Sequence, residues 1–221
     1  MRIIARVRSD FPSKFGIPRQ SGLVESLESL VVFEPEYRDA NALRGIEQFS
    51  HLWLIWQFSE NAGAGWSPTV RPPKLGGNAR LGVFATRSPF RPNPIGLSSV
   101  RLLGVERDSV CGLVLRVAGA DLMDGTPVLD IKPYVPYTDA HPDAAAGYTA
   151  HTGEGRVQVE FPEALLREVP EAKRKALLEA LAQDPRPGYQ ADPERVYGFP
   201  FAGREIRFRV AGGTLTVLEI K

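Results

Sequence analysis

The residues best suited to binding an anion lie in one stretch of the chain, from Arg71 to Gly96. The stretch contains four Arg, one Lys, five Pro and four Gly, and no Asp or Glu. The acid-free span is wider, since no Asp or Glu occurs between Glu60 and Glu106, although the formal net charge of the whole chain is only +1. Such local positive charge is typical of a surface that faces a polyanion. The Pro and Gly residues predict rigid turns around a small-molecule pocket rather than a long helix.

An ordinary set of solvent-exposed turns would also account for this composition. Segments rich in Gly and Pro usually connect strands, and surface arginines are usually solvated. The stretch is interrupted, however, by apolar residues such as Leu81, Val83 and Phe90, which allow it to pack. An ordered cationic segment is therefore the favoured interpretation.

Carboxylates and an amide stand at two other turns. Asp121 and Asp124 lie three residues apart just before Gly125, although Asp-Gly is a common turn by itself. Asn93 lies between two prolines that fix its backbone. Its amide oxygen can accept a hydrogen bond from an amine on a base edge.

Several common catalytic signatures are absent from the sequence. No GxGxxG follows a strand, and neither GxxxxGK[ST] nor GxSxG occurs, which argues against a dinucleotide site, a P-loop and an acyl-transfer serine. One Cys and three scattered His do not supply a common zinc set, so no metal is expected. We expect His51, at the head of an apolar strand, to be a core residue.

The elements that must position these residues are mainly strands. Short apolar segments separated by Gly, Pro, Asn and Asp predict strands over 2–8, 30–33, 51–58, 80–86, 95–105, 109–117 and 126–131. This spacing is typical of an all-β barrel or sandwich. Apolar residues at every third position predict a helical turn over 40–49.

The composition changes after Tyr137 and divides the chain. Residues 139–155 are small and polar and predict a linker between a domain over 1–138 and a small α+β domain over 156–221. In the second domain we expect elements of both kinds. They are a strand over 156–161, helices over 162–168 and 171–183, and a hairpin of strands 204–210 and 214–220.

The single cysteine bears on the compartment. Cys111 cannot form an internal disulfide and lies in an apolar run, which predicts a buried core residue in a reducing cytoplasm. The apolar run at the N-terminus is too short to predict a signal peptide, and no apolar stretch of about 18 residues occurs that would predict a membrane span.

Five segments carry longer motifs. They are FGIPRQSGL (15–23), FSHLWLIWQF (49–58), VRPPKLGGNARLGVFATRSPFRPNPIG (70–96), DLMDGTPVLDIKPYVPY (121–137) and DPRPGY (184–189). These motifs closely resemble the TsaA/TrmO family of S-adenosylmethionine-dependent tRNA methyltransferases, and the long third motif is specific. The resemblance covers nearly the whole chain.

The resemblance implies a fold and a reaction. The fold is a β-barrel methyltransferase domain that binds the methyl donor, followed by a small C-terminal domain. The reaction transfers a methyl group from S-adenosylmethionine to the N6-position of N6-threonylcarbamoyladenosine, next to the anticodon of a threonine tRNA. The family also forms homodimers, with the donor bound near the subunit interface.

By position in the motifs, the resemblance implies a donor site drawn from distant parts of the chain. Its members are Pro18, Arg19, Gln20, Ser59, Glu60, Arg87, Leu97, Asp121, Leu122, Met123 and Asp124. Some relatives carry His-Gln where this chain has Ser59 and Glu60, and a backbone contact would survive that change. Carboxylates suit the cationic sulfonium of the donor, and an arginine suits its carboxylate.

The resemblance also suggests how RNA is bound and methylated. The RNA-binding candidates are Arg71, Lys74, Arg80 and Arg91, which suit the tRNA phosphates, with Trp66 or Phe90 stacking on an unpaired base. The acceptor nitrogen is a poor nucleophile, so Asn93 or Asp124 is the candidate catalytic residue that orients or removes its proton. Two alternatives stay open: a non-catalytic RNA-binding barrel, and a methyltransferase of the same fold with another substrate.

Overall fold

The computed structural model describes residues 1–61, 63, 65–75, 79–151, 155–186 and 192–221, without the side chains of Lys74 and His151. Its strands are β1 Ala5–Arg8, β2 Glu28–Phe33, β3 His51–Gln57, β4 Thr69–Val70, β5 Leu81–Gly82, β6 Ile95–Asp108, β7 Gly112–Ala118, β8 Pro127–Pro133, β9 Gln158–Glu160, β10 Tyr197–Phe201, β11 Arg204–Ala211 and β12 Thr214–Ile220. The α-helices are α1 Pro136–Asp139, α2 Glu163–Leu166 and α3 Glu171–Ala182. None of the helices in these residues is long and apolar enough to cross a membrane.

Six of the strands close into an antiparallel barrel in the order β1-β2-β7-β6-β3-β8. Strand β3 illustrates the pattern that allows closure. Its residues Leu52, Leu54 and Trp56 are buried inside the barrel, whereas Trp53 and Ile55 between them are half-buried on the outside. A two-residue period with one buried face is what a barrel strand requires. The predicted β-barrel fold is therefore confirmed.

Three connections leave the barrel at the same end. Because neighbouring strands are antiparallel, β1, β3 and β7 finish at the end where β8, β6 and β2 begin. The connections made there are residues 9–27, 58–94 and 119–126. Most of the residues that the resemblance assigns to the donor site lie in these three connections.

The C-terminal domain is a four-stranded sheet, in the order β10-β11-β12-β9, with α3 packed against it. The predicted hairpin of β11 and β12 is confirmed, and Gly212 and Gly213 both take positive φ at its turn. Strand β10 was missing from the sequence prediction. Gly198 and Pro200, which are poor strand formers, alternate in it with three buried aromatic residues.

The connection 9–27 belongs physically to both domains. Phe11, Val24 and Leu27 are fully buried in the core of the C-terminal domain, not in the barrel interior. Lys173 of α3 donates to the carboxylate of Asp10 at 2.7 Å. The motif at 15–23, which the resemblance predicts to contribute to the donor site, is therefore held between the two domains.

Three sequence expectations require correction. The strand expected over 80–86 is limited to Leu81–Gly82 and is followed by a short 3-10 helix over Val83–Ala85. The helical turn expected over 40–49 is two short 3-10 helices separated by Gly45, which takes φ 86°. His51 is exposed at the barrel surface, because β3 begins with an outward-facing position.

Candidate active site

The three connections at one end of the barrel enclose an open cleft of about 1610 Å³. Its wall is completed by residues 145–149 of the predicted linker and by α3 and the segment that follows it. Nine of the eleven predicted donor-site residues line it. They are Pro18, Arg19, Gln20, Ser59, Glu60, Arg87, Asp121, Leu122 and Met123.

Backbone hydrogen bonds join the first connection to the third. The Gly22 amide donates to the Gly119 carbonyl at 2.9 Å, and the Asp124 amide donates to the Phe11 carbonyl at 2.8 Å. The hydroxyl of Ser9 donates to the Leu122 carbonyl at 2.9 Å. The first and third connections, which carry two of the predicted donor-site motifs, thus form one hydrogen-bonded wall.

Asp124 stabilises this wall and does not line the cleft. Its carboxylate accepts a hydrogen bond from the Ser9 amide at 3.0 Å, and its side chain is exposed outside the lining of the cleft. Asn93 is also exposed and does not line the cleft. The structure therefore does not bring either candidate catalytic residue to the cleft, and their catalytic role stays a prediction.

Asp121 is the carboxylate that the fold brings into the cleft. Its Oδ1 accepts a hydrogen bond from the Ser98 hydroxyl at 2.6 Å, and that hydroxyl accepts one from the indole Nε1 of Trp56 at 3.0 Å. Burial raises the pKa of Asp121, while the hydrogen bond from Ser98 and the charge of Arg87 oppose the rise. The result is a partly buried carboxylate held in one orientation.

The position of Trp56 depends on a small residue across the sheet. Gly96 pairs with Trp56 in the register of β3 and β6, and a Cβ atom at Gly96 would lie 2.2 Å from the indole ring. Phe58 packs edge-on against the same ring, with the ring centroids 4.3 Å apart. The sequence analysis did not predict a role for Trp56 or Ser98. The small residues Gly96 and Ser98, two apart in β6, were the only local indication that a large side chain packs against this strand.

The two arginines of the predicted donor site have different partners. Arg19 donates through Nη2 to the carbonyl of Arg186 at 2.8 Å and to that of Asp184 at 3.4 Å. The side chain of Arg186 in turn makes two 2.8 Å hydrogen bonds to the carboxylate of Asp184. The guanidinium of Arg19 is thus engaged by the C-terminal domain.

Arg87 is the more available cation. It is exposed on the cleft wall, where it donates to the side-chain oxygen of Gln20. The side-chain nitrogen of Gln20 donates to its neighbour's carbonyl, that of Arg19, at 2.5 Å. Arg87 therefore presents positive charge toward the cleft from a position fixed by the first connection.

Leu97 and the RNA-binding candidates lie elsewhere. Leu97 points away from the barrel interior and is 53% exposed. Arg91 donates to the carbonyls of Val83 and Thr86 at 3.0 and 2.7 Å, which fixes the turn between them. Arg71 and Arg80 are exposed, and the side chain of Lys74 lies outside the described residues.

The cleft offers the chemistry of a small charged organic ligand rather than of a metal. It combines the cation Arg87, the carboxylates Asp121 and Glu60, and apolar walls that include Trp56 and Leu122. Within the described ranges, no group of three or more His, Cys, Asp or Glu side chains stands close enough together to hold a metal ion. The predicted motif at 184–189 reaches the cleft through Arg186; its residues 187–189 lie outside the described residues.

Family models match the two halves of the chain. The model of the tRNA-methyltransferase O N-terminal domain matches residues 6–140, and that of the TrmO C-terminal domain matches residues 154–221. The chain belongs to the TrmO family. The resemblance seen in the motifs is thereby confirmed.

Relatives of this TrmO family member align with nearly all of it. The chain is 42% identical to a tRNA (adenine(37)-N6)-methyltransferase from Escherichia coli K12, over 99% of this chain and 96% of that protein. It is 49% identical to a protein of the same name from Eikenella corrodens, over 75% of this chain and 93% of that protein.

Solved structures support the same family. A crystal structure of TrmO shares 37% identity and a TM-score of 0.81, covering 99% of this chain and 96% of the other. A crystal structure of TrmO from Pseudomonas aeruginosa shares 36% identity and a TM-score of 0.78, covering 99% and 97%. The barrel followed by a small C-terminal domain is thus the architecture of solved members.

Proposed function

We propose that this TrmO family member transfers a methyl group from S-adenosylmethionine to the N6-position of N6-threonylcarbamoyladenosine, beside the anticodon of a threonine tRNA. The observation that carries the proposal is the joining of Arg87 and Asp121 in one cleft built from the family motifs. Family membership supports the reaction class, and the threonylcarbamoyl substrate rests on the resemblance of the motifs.

The side chains of the cleft fit such a donor. S-adenosylmethionine, when bound, supplies an electrophilic methyl group on a cationic sulfonium. Arg87 suits the donor carboxylate, and Asp121 suits a cationic centre because its carboxylate is fixed by Ser98. Trp56 and Leu122 provide apolar surface for the uncharged parts. The protein's contribution to the rate is alignment of the two reactants.

The acceptor proton requires a hydrogen-bond acceptor near the cleft. The two candidates from the sequence, Asn93 and Asp124, stand outside the lining, whereas the carboxylate of Asp121 lines it. A carboxylate whose pKa is raised by burial is better matched to accepting a proton near neutral pH than an ordinary one. We therefore favour Asp121 over the two residues chosen from the sequence.

The homodimer is a further part of the proposal. Leu97, which the resemblance assigns to the donor site, lies in register with Ile55 on the outer face of the barrel. A second copy of the chain on this face would cover the exposed leucine. It would also bring this leucine near the donor bound by the second copy. Light scattering of the wild type and of Leu97→Asp tests this, and a monomeric wild type would contradict it.

The first experiment is a calorimetric titration with S-adenosylmethionine. We expect micromolar binding by the wild type and a loss of at least about tenfold in Arg87→Ala, the size of one charged hydrogen-bonding contact. Arg107→Ala is the matched control, because Arg107 is an exposed arginine near the far end of β6.

The second experiment measures methyl transfer to threonine tRNA with and without the threonylcarbamoyl group. Transfer only to the modified tRNA supports the full proposal. Transfer to another RNA supports a different substrate for the same chemistry. A folded wild type that binds tRNA but no donor would instead support a non-catalytic RNA-binding barrel. We also propose that the protein is cytoplasmic, which agrees with its single free cysteine, Cys111. The assay therefore uses cytosolic tRNA.

A further inference from the structure

A second cavity of about 710 Å³ opens beside the donor cleft. We propose that it binds the acceptor nucleotide of the RNA, and that Tyr148 of the interdomain segment forms the stacking wall for its base. This inference rests on the proposed function, since it names the place of the substrate relative to the donor. Its volume lies within the range of about 300–1,000 Å³ that is usual for sites of small ligands.

The charge of the cavity suits a phosphate. Among the residues that the structure describes, its lining includes Arg71, Arg80 and Arg87 and contains neither Asp nor Glu. Arg80 lies 3.5 Å from the Thr69 hydroxyl, and in the described ranges neither Arg71 nor Arg80 is paired with a carboxylate. Cationic side chains without an internal anion are available to an external one.

The aromatic side chains of the cavity suit a base. Phe90 is 42% exposed on one wall, and the half-buried ring of Tyr148 stands on another. Tyr148 belongs to a short 3-10 helix over Gly147–His151 and lines the cavity together with residues of the connection 58–94. Proteins bind unpaired RNA bases by stacking them on such rings while arginines contact the backbone.

The position of Tyr148 links the two ligands. Tyr148, Gln20 and Arg87 line both the second cavity and the donor cleft, so they stand where the two spaces meet. A base stacked on Tyr148 would direct its edge toward the cleft that contains Asp121. Methyl transfer needs this closeness, because the reacting atoms must be brought within about 3–3.5 Å.

The segment predicted as a linker therefore has a second role. Residues 145–149 line the donor cleft as well as connecting the domains. Tyr148 is the aromatic residue of this segment, and it is the one that reaches both spaces. The nearby Tyr137, by contrast, is 89% exposed and lines neither space.

The test separates RNA binding from donor binding. The probe is an anticodon stem-loop RNA with 2-aminopurine, whose fluorescence falls when it stacks, in place of the acceptor adenine. We expect the wild type to quench it, Tyr148→Phe to quench it equally, and Tyr148→Ala to quench it weakly and bind about tenfold less tightly. Calorimetry gives the donor affinity of the same two variants. Because Tyr148 also lines the donor cleft, we expect RNA affinity to fall further than donor affinity in Tyr148→Ala.

Tyr137→Ala is the matched control and should behave as wild type in both assays. Wild-type quenching and RNA affinity in Tyr148→Ala would overturn the inference. Tyr148→Trp keeps an aromatic ring at this position. If it loses as much quenching and RNA affinity as Tyr148→Ala, stacking is not the cause of the loss and the inference is overturned. If the wild type binds this RNA through Tyr148 but binds no donor, the nucleotide site stands and the proposed methyl transfer fails.

Discussion

Two connections at the same end of the barrel contribute to the cleft in opposite ways. Residues 9–27 are built into the core between the domains, with Phe11 and Leu27 fully buried. Residues 58–94 instead leave aromatic side chains in solvent, and Phe84 is 73% exposed. In the first connection, Asp10, Arg19 and Ser26 have hydrogen-bond partners in the C-terminal domain. In the second, Arg71 and Arg80 are not paired with a carboxylate among the described residues.

In the proposed function, this difference separates donor binding from RNA binding. A small donor with fixed charges requires preorganised groups, and residues 9–27 contribute to this by holding Arg87 through Gln20. A large polyanion requires accessible charge, and this comes from a segment outside the core. Changes in 9–27 should therefore alter stability and donor binding together, while changes at Arg71 and Arg80 in 58–94 should alter RNA binding alone.

The largest expected effect is at Gly16. It takes φ 95°, and a Cβ atom there would lie 2.6 Å from the ring of Phe199, which is fully buried. We expect Gly16→Ala to lower the free energy of unfolding by about 3 kcal/mol, since both the backbone and a rigid ring must shift. Denaturant unfolding monitored by circular dichroism measures the change.

Gly22→Ala is the control for backbone strain. Gly22 lies in the same connection with φ 82° but has no atom within 4 Å of an added Cβ. We expect it to cost about 1 kcal/mol, the strain of the left-handed conformation alone. Equal losses at Gly16 and Gly22 would show that contact with the C-terminal domain does not constrain the segment.

The next effect is at Arg19. Removing its side chain leaves the carbonyls of Asp184 and Arg186 without their shared donor. Arg19→Ala should lower the free energy of unfolding by about 2 kcal/mol and weaken donor binding through displacement of Gln20. Arg2→Ala, which breaks an ion pair between two exposed side chains, should change stability by less than about 0.5 kcal/mol. Stability losses of the same size in both variants would refute the interdomain role of Arg19.

A pH-dependent effect is expected at Asp121. Its pKa is raised above 3.8 in the folded protein by burial, so the folded state binds more protons than the unfolded state as the pH rises above that value. Relative to Asp121→Asn, the wild type should therefore lose stability as the pH rises from about 3.8 through the raised pKa of Asp121. Unfolding midpoints measured across this range give the difference, and parallel curves for the two proteins would contradict the assignment.

Sequence patterns predicted the barrel better than the site. The two-residue period of β3 and the turn residues between strands follow from local sequence, and so the fold class could be predicted. The pairing of Trp56 with Gly96, and hence the chain from Trp56 through Ser98 to Asp121, depends on the register between two strands. Local sequence does not determine that register.

The role of Arg19 was hidden for a related reason. Its partners are backbone carbonyls about 165 residues away, and any residue type supplies a carbonyl. No side-chain pattern at 184–186 could therefore reveal the contact. The resemblance of the motifs, unlike the composition, predicted that Arg19 and Asp121 belong to one site. Both residues line the same cleft in the structure.

The smallest effect on stability, and the clearest on RNA, is expected for Arg71 and Arg80. The double variant Arg71→Ala/Arg80→Ala should unfold within about 0.5 kcal/mol of wild type, since both side chains are exposed. The measurement is a plot of the logarithm of the RNA-binding constant against the logarithm of the salt concentration. If each arginine contacts one phosphate of single-stranded RNA, the steepness of this plot should fall by about 1.4 in the double variant. Arg107→Ala, an exposed arginine near the other end of the barrel, should leave the slope unchanged. An unchanged slope in the double variant would mean that the open connection does not meet the RNA backbone, and the division of tasks between the two connections would then be wrong.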